Sequence, residues 1–565
     1  MDDVTEPLVS AEIGQQHSQK NHAGFSLWVA VAFTTNYIMG CGFLGIPSAT
    51  VQSGLILGPI VIIVFGVIMN MSKDFMLESL GRTEAITRLS AKITAAVSTS
   101  RSAEALEHTI AKPEQTDYLV SEREFEVTDI FFLFFGVRAR TLYMTVLSLY
   151  LYGGLWAYST VFANSFAANA PVVFMNGGQT CNIEEGGSEC INVFFVWLGV
   201  FAILAVPLSC LELKEQVIVQ VIMFLARVLV VLLMAGTAMG GYSCNGTAFA
   251  QVEGGKPWTP APLFAPSGLS QIMPVSIYAF IFHHSVPILS RPVSDKTSLK
   301  TVFSVAFLIV GAAYAGLGVA LAAYFGGSID GQCNLNWRQY IGCVADKPGG
   351  VKATLADRST AAQAISFVVL IFPALDVLSA FPLNAVTLGN NLMSACYGVS
   401  DASSAAGFTE DVPSSTTLFR RRILFRLLAA IPPIIAGALS TYYKINLSQI
   451  LQFTGLIGVA IAFGIPAVLR AWTYARHSQI LEILAGQAFK MSSGAESVEK
   501  FVQEALSTPL SMRAGLFTTP SDLSLEIVQT PYTSRFLRLG RVDFCLFVFA
   551  VVIGLYVAIA MILGT

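Results

Sequence analysis

The sequence predicts an all-α membrane protein that crosses the bilayer about eleven times, with helices 1 and 6 broken. Of its 565 residues, 54% are hydrophobic and only 12% are charged, about half the charged fraction of an ordinary soluble domain. Apolar runs of about 20 residues span a hydrocarbon core of about 30 Å as helices. Eleven such runs lie near residues 25–52, 55–80, 141–168, 191–211, 215–239, 270–290, 300–326, 359–395, 422–441, 447–470 and 543–563.

The first apolar run contains a glycine-rich interruption, NYIMGCGFLGIP, from Asn36 to Pro47. Gly40, Gly42 and Gly45 weaken a helix, and proline lacks an amide hydrogen, so we expect regular hydrogen bonds to be lost here. Backbone groups freed inside a bilayer must be satisfied by protein, water or a ligand, which favours a binding site. A glycine-lined packing face is the alternative interpretation.

The distribution of basic residues predicts the orientation of the chain. The first 24 residues lack a basic region followed by an apolar core, so we expect no cleaved signal peptide and a cytosolic N-terminus. With that orientation, cytosolic segments hold 26 of the 33 lysines and arginines, and the opposite loops hold six, as the positive-inside rule requires. The predicted units are a cytosolic tail (1–24), a transporter core (25–470) with a cytosolic loop (73–140) and lumenal or extracellular loops (168–190, 240–269 and 327–358), a second cytosolic loop (471–541), and the eleventh helix with the C-terminus (542–565).

Five of the nine cysteines fall in the predicted lumenal or extracellular loops, where disulfides form. The simplest pairs join Cys181 to Cys190 and Cys333 to Cys343, although sequence alone does not fix the connectivity. Asn245 begins an Asn-Gly-Thr sequon on the same side and is a candidate for glycosylation.

The sixth apolar run, IMPVSIYAFIFHHSVPIL, provides a counterpart to the first break. Pro274 and Pro287 bracket it, and His283, His284 and Ser285 interrupt it with polar groups. Transporter folds often repeat a bundle of five helices in inverted orientation, so two breaks five spans apart favour a transporter. A histidine here relays a proton or packs through a hydrogen bond, and one of two adjacent residues must point away from the site.

Two ionisable residues are predicted at membrane depth, where such groups are costly. Arg227 lies near the middle of the fifth run, and Asp376 lies in the eighth, with Ser379 one turn further on the same face. Arginine keeps its charge and needs a partner, for which Asp376 is the strongest candidate. The pair either locks two helices together or borders an ion or substrate pathway.

Several function classes lack their usual marks. No G-x-x-x-x-G-K-[ST] loop, H-E-x-x-H pair or G-x-S-x-G elbow occurs, so we expect neither ATP-driven transport nor an enzyme. The net charge of -3, with basic residues in short loop clusters, gives nucleic-acid binding no support. We predict no cofactor and no metal site.

The residues 36–54, NYIMGCGFLGIPSATVQSG, resemble the first-span motif of the amino acid/auxin permease family, within the amino acid-polyamine-organocation superfamily. Further segments are similar to the transmembrane protein 104-like group and occur in the same order. They are FEVTDIFFLFFG followed by LYLYGGLWAYSTVFANSF, SIYAFIFHHSVPILSRPVSDK, FPALDVLSAFPLNAVTLGNN and SQILQFTGLIGVAIAFGIPAVL. Together they cover the chain from about residue 25 to residue 470.

The resemblance implies a leucine-transporter-like fold, with two inverted five-helix repeats, an eleventh helix and a central site between broken helices 1 and 6. Exposed amides of the first break would receive a substrate carboxylate, and carbonyls of the second would receive the amino group. With His283 added, the candidate substrate-binding residues are Gly40, Cys41, Gly42, Phe43, Leu44, Gly45, Tyr278, Ala279, Phe280 and His283.

The resemblance also bears on ion coupling. Sodium-coupled relatives use carbonyls of helix 1 and hydroxyls of helix 8, where Ser379 could serve. Asp376 departs from that pattern, and Arg227 is similar to a cation that stands in for sodium in some sodium-independent relatives. The candidate ion-coupling residues Arg227, Asp376 and Ser379 therefore favour proton coupling or exchange, with sodium as the alternative.

We therefore expect a secondary active transporter of amino acids or related small solutes, working by alternating access. Its partners would be an amino-acid-like solute, a coupling ion and the lipid bilayer, in the plasma membrane or in an endolysosomal or vacuolar membrane. The alternative is a transporter-like sensor that binds the solute and signals through its cytosolic loops, for which residues 73–140 would be needed.

Overall fold

The computed structural model describes residues 24–98, 118–120, 126–170, 188–210, 217–245, 258–342, 358–397, 415–477, 530–533 and 541–563. Within these ranges the regular structure is helical, apart from one isolated bridge between Phe25 and Val293. The α-helices are α1 (Leu27–Ile38), α2 (Ile46–Ser53), α3 (Leu57–Ser98), α4 (Val127–Phe135), α5 (Val137–Asn169), α6 (Ser188–Cys210), α7 (Val217–Asn245), α8 (Leu269–Phe280), α9 (Val286–Ser290), α10 (Leu299–Phe325), α11 (Thr360–Tyr397), α12 (Ser415–Tyr442), α13 (Leu447–Val459) and α14 (Arg541–Leu563).

The predicted multi-pass membrane architecture is confirmed. In the described residues, ten helical segments are long and apolar enough to cross a bilayer, and the shorter apolar helix α1 begins the first span. Large apolar side chains are exposed along their outer faces, as expected where helices meet lipid rather than water. The chain is an integral membrane protein with helices as its spanning elements.

The first span is broken where the sequence predicts. Helix α1 ends at Ile38, a 3₁₀ turn follows from Cys41 to Leu44, and α2 restarts at Ile46. A Cβ atom built on Gly42 would lie 2.7 Å from the Cα atom of Ala279 in α8. Glycine therefore allows the two broken spans to approach backbone to backbone.

The sixth span is broken between its two prolines. Helix α8 ends at Phe280, Ile281 is extended, and the 3₁₀ turn His283–Ser285 leads into α9. Pro287 occupies the first turn of α9, where its missing amide hydrogen costs little. The break thus leaves the carbonyl end of α8 and the amide end of α9 in the middle of the bundle.

Helix α3 is much longer than the predicted second span. It runs for 42 residues to Ser98, about 63 Å, so the prediction that a loop begins at residue 73 is wrong. The charged residues that suggested a loop are buried in the helix, and Lys73 pairs with Asp74 at 2.5 Å. A helix continues through charged residues when neighbouring helices supply partners.

Four charged residues form a buried network, which we call the α3 network: Glu78, Arg82, Arg470 and Asp543. Glu78 accepts hydrogen bonds from Arg470 at 3.0 Å and from Arg82 at 3.2 Å, and Arg470 also binds Asp543 at 3.0 Å. All four side chains are almost completely buried. The network ties α14 and the continuation of α13 to α3, beyond a π-helical turn at Ala460–Gly464.

The cysteines differ in part from the prediction. Cys190 is disulfide-bonded, and its predicted partner Cys181 lies outside the described residues, so that pairing stays a prediction. Cys333 is a free thiol, so the proposed bond to Cys343, which also lies outside, is not formed. The 3₁₀ helix that starts at Cys333 places the side chain in the protein interior, and burial raises the pKa of its thiol. Asn245 ends α7, and its glycosylation stays a prediction.

Candidate functional site

A cavity of about 300 Å³ lies between the two broken spans. Gly40 and Gly42 of the first break line it, together with Tyr278 and Ala279 at the end of α8. Neither the 3₁₀ turn nor α2 has a side chain capping its first amides, so polar groups of the backbone at the first break are left for a solute or water. The two breaks predicted from sequence therefore meet at one place.

Other predicted substrate-binding residues do not line the cavity. The Cys41 sulfur lies 3.4 Å from the Tyr278 hydroxyl, and Phe280 packs against the rings of Phe307 and Tyr314. Phe43, Leu44 and Gly45 are absent from its walls, since the 3₁₀ turn directs them into the packed interior. The side chains of Phe43 and Leu44 therefore do not reach the cavity.

The two adjacent histidines have different surroundings. His283 is completely buried and donates from Nε2 to the carbonyl of Met69 on α3, 3.2 Å away. His284 lines the cavity, with its ring centroid 5.6 Å from that of Tyr150. The prediction that His283 faces the site is therefore wrong, because the 3₁₀ turn directs the first histidine to α3 and the second to the cavity.

The structure brings Arg227 and Asp376 together at the cavity wall. One terminal nitrogen of the guanidinium binds both carboxylate oxygens, at 2.5 and 2.6 Å, and the other donates to the carbonyl of Asn36 near the end of α1. Ser379 also lines the cavity and donates to the carbonyl of Asp376 at 2.7 Å. The pair thus links α7 and α11 to the broken end of α1.

Tyr314 connects the two breaks and was not found by sequence reasoning. From α10, its hydroxyl lies 3.0 Å from the carbonyl of Ala279 and 3.4 Å from that of Ile38. These carbonyls lie in the last turns of α8 and α1, where intrahelical partners are missing. The available signal was one of two tyrosines in a mostly apolar run, which is too common to single out.

A wall of tyrosines was also missed. Tyr150 and Tyr158 line the cavity from α5, and Tyr37 lines it from α1, with its hydroxyl 2.5 Å from that of Ser285. The rings of Tyr150 and Tyr278 lie 6.1 Å apart. The signal was the four-residue spacing of Tyr150, Gly154 and Tyr158, which places all three on one helix face.

The bundle has two different ends around the cavity. Toward the end of the bundle at which α1 begins, the cavity lining continues through Phe33 and Thr387. At the opposite end, the segment 326–341 packs between helices, where Gln332 and Asn334 bind Ser165 and Trp337 binds Thr237. These hydrogen bonds fix the segment to α5 and α7.

Comparisons with known proteins identify relatives along most of the chain. A transmembrane protein 104 homolog of Drosophila melanogaster is 24% identical over 486 residues, 79% of this chain and 88% of that protein. Human transmembrane protein 104 is 22% identical over 486 residues, 79% of this chain and 87% of its own. A homolog from Dictyostelium discoideum is 24% identical over 359 residues, 62% of each chain. These names state a membrane location and no activity.

Other comparisons add little. No protein-family model matches the chain. Among solved structures, the substrate-bound outward-open state of a Na+-coupled sialic acid symporter aligns with 14% identity and a TM-score of 0.34, covering 79% of this chain and 82% of that one. At that TM-score the similarity carries no argument about substrate or ion. The function has to be argued from the site.

Proposed function

We propose that the protein is a secondary active transporter of amino acids or related small solutes, working by alternating access. The observation that carries this proposal is the cavity where two spans lose their helical hydrogen bonds in the middle of the bundle. Its volume of about 300 Å³ lies at the lower end of the range for small-molecule sites. One small solute fits such a space, and a peptide or lipid does not.

The backbone at the breaks suits a zwitterionic solute. The 3₁₀ turn at Gly42, which precedes α2 and has no side-chain cap, offers backbone amide hydrogens to a carboxylate. The last carbonyls of α8, near Tyr278, form the negative end of a helix and suit an ammonium group. Gly42 and Tyr278 border the same cavity, which matches the two charges of an amino acid.

The arginine at the cavity wall supports proton coupling or exchange over sodium coupling. Arg227 already binds the carbonyl of Asn36 and the carboxylate of Asp376. These are oxygen ligands of the kind that a metal cation needs, and a permanently charged guanidinium occupies them. We also propose that the protein belongs to the amino acid-polyamine-organocation superfamily, which the two broken spans support, and that its N-terminus is cytosolic, which the distribution of basic residues supports.

One observation favours a sensor as the second candidate. Two short described segments, 118–120 and 530–533, pack beside α3, and Tyr532 joins them to the loop after the sixth span. Its hydroxyl accepts from the amide of Val120 and donates to the carbonyl of Lys296, both at 3.2 Å. Burial raises the pKa of Tyr532 to about 12, so the hydroxyl keeps its proton for that bond.

Flux through proteoliposomes containing the full chain tests the proposal. Uptake of radiolabelled amino acids is measured with and without sodium and with and without a pH gradient. We expect saturable uptake that is independent of sodium and slower in Arg227→Ala and Asp376→Asn, because Arg227 binds the end of α1 and Asp376 holds Arg227 in place. Leu229→Ala, on the lipid-facing side of the same α7 helix, is the matched control. Saturable binding without flux would support the sensor.

A further inference from the structure

The cavity has two formally charged side chains among its lining residues, and they pair with each other. Arg227 and Asp376 are 3% and 4% exposed, and their charged atoms lie 2.5 and 2.6 Å apart. The second guanidinium nitrogen is bound to the carbonyl of Asn36. Both charges are therefore held in place, and the described lining has no unpaired formal charge to offer to a solute.

The remaining side chains of the cavity are apolar or neutral. Phe33, Leu151, Leu155, Ile288 and Leu383 line it together with tyrosine rings and with the neutral polar side chains of Asn36, Ser285, Ser379, Asn384 and Thr387. His284 is a further titratable group and is neutral at alkaline pH. A solute whose side chain carried a charge would bring that charge into this lining without a partner, and an unpaired charge is strongly disfavoured in such surroundings.

We propose that the cavity selects solutes of zero net charge with an uncharged side chain, and that Arg227 and Asp376 permit this selection by neutralising each other. The inference rests on the proposed transport function and names its substrate class. The ammonium and carboxylate of an amino acid cancel each other and meet the end of α8 and the 3₁₀ turn at Gly42. An uncharged side chain is favoured beyond them, because the two charges of the pair cancel and leave the cavity electrically neutral.

The inference predicts a change of selectivity when one charge of the pair is removed. Asp376→Asn leaves the guanidinium unpaired, so uptake of L-glutamate relative to L-leucine should rise by about tenfold or more, which is about 1.4 kcal/mol. Arg227→Met leaves the carboxylate unpaired, so uptake of L-lysine relative to L-leucine should rise similarly. The double variant Arg227→Met with Asp376→Leu has no charge and should regain the selectivity of the unmodified protein.

The experiment measures uptake of radiolabelled L-leucine, L-phenylalanine, L-glutamate and L-lysine by the full chain in proteoliposomes at about pH 8, where an imidazole is neutral. The unmodified protein should take up the first two at least tenfold faster than the last two. Each variant is first shown to be monodisperse in detergent. If a single variant does not fold, the neutral double variant still tests the inference, because it should continue to reject both charged amino acids.

The outcomes separate the two proposals. Uptake of L-glutamate or L-lysine by the unmodified protein as fast as L-leucine overturns this inference and leaves transport standing. Equal losses for all four amino acids in the single variants also overturn it, because they would show that the pair acts only on structure. Uptake of none of the four by folded protein overturns the proposed amino acid transport, and with it this inference.

Discussion

Two regions of the molecule bury arginine–carboxylate pairs, and they differ in what surrounds them. Arg227 and Asp376 border a cavity, and the arginine also holds a carbonyl near the end of a broken helix. Arg470 joins Glu78 and Asp543 between α3, α14 and the continuation of α13, and none of the three lines the cavity. The charges are almost completely buried in both regions.

The comparison teaches that a charged side chain buried in a membrane bundle requires a partner of opposite charge. Burial alone does not indicate a functional role, which needs a second structural observation. At the cavity, that observation is the interrupted backbone of α1, whose Asn36 carbonyl is bound by Arg227. In the α3 network, α3 runs on through Glu78 and Arg82, and the pairs hold α14 and the continuation of α13 against it. We therefore expect substitutions in the network to affect stability most, and those at the cavity to affect transport most.

The largest expected effect on stability is that of Arg470→Met. It leaves the carboxylates of Glu78 and Asp543 buried without this cation, so we expect the free energy of unfolding to fall by about 3–5 kcal/mol. Thermal unfolding of the purified protein in detergent measures the change. Arg227→Met should cost less, since water in the cavity can solvate Asp376. Equal losses in the two variants would remove the distinction between the regions.

The next largest effect is a loss of transport, which we expect when the contact between the two breaks is disturbed. Gly42→Ala places a methyl group 2.7 Å from the backbone of Ala279, so the broken spans must separate. We expect transport to fall by about tenfold to a hundredfold, because displacements of about 1 Å at a site have effects of that size. Gly199→Ala, where a Cβ atom meets nothing within 4 Å, is the control and should transport normally. Normal transport by Gly42→Ala would show that the contact is dispensable.

The two adjacent histidines test whether a buried side chain affects stability while a side chain in the cavity wall affects transport. His283→Gln loses or weakens one buried hydrogen bond to Met69, so we expect the free energy of unfolding to fall by about 1 kcal/mol with little change in KM. His284→Gln changes a cavity wall, so we expect a several-fold change in KM for transport and little change in stability. The reverse pattern would mean that the first histidine, and not the second, contacts the solute.

The smallest effect on the free energy of unfolding is expected for an exposed charged residue outside the spans. Asp295 caps the 3₁₀ turn Lys296–Ser298, and hydrogen bonds from the hydroxyl and amide of Thr297 lower its pKa. Its stabilising contribution is therefore present above about pH 4 and is lost as the pH falls through the lowered pKa. Asp295→Ala should reduce the free energy of unfolding by less than about 1 kcal/mol.

Unfolding followed between pH 3 and pH 7 measures this contribution. Asp295→Asn keeps an acceptor for the amide of Thr297 and is the control, with most of the stability and less dependence on pH. A loss for Asp295→Ala as large as that for Arg470→Met would contradict the assignment of the main stabilising charges to the buried network.

The spans and both breaks follow from local sequence. Hydropathy predicts the apolar runs because each helix must satisfy its own backbone in lipid, and Gly42 and Pro287 mark the breaks because glycine and proline act on the backbone directly. The length of α3 could not be predicted in this way. Glu78 is stabilised in a helix by Arg470, 392 residues along the chain, and no local pattern contains that partner.

The sequence predicted the two backbone breaks of the site and one pair of charged side chains, but not the other side chains that line it. Arg227 and Asp376 could be paired by type and depth, but the choice between His283 and His284 depended on the direction of one 3₁₀ turn. Tyr314 could not be found, because its role comes from two carbonyls that become available only when both spans break. A side chain whose role depends on contacts formed only in the tertiary structure leaves no local pattern in the sequence.

The π-helical turn at Ala460–Gly464 makes the chain sensitive to length at this point. One residue more or less in a helix rotates everything after it by about 100°, and a π turn accommodates such an extra residue. Arg470 lies beyond the turn, so its direction toward Glu78 depends on the residue count there. Deleting one residue from 460–464 would let the π turn become regular α-helix and would keep the direction of Arg470. Inserting one residue there would leave the hydropathy of the span almost unchanged, but it would turn Arg470 away from Glu78 and Asp543 and free α14 from its anchor.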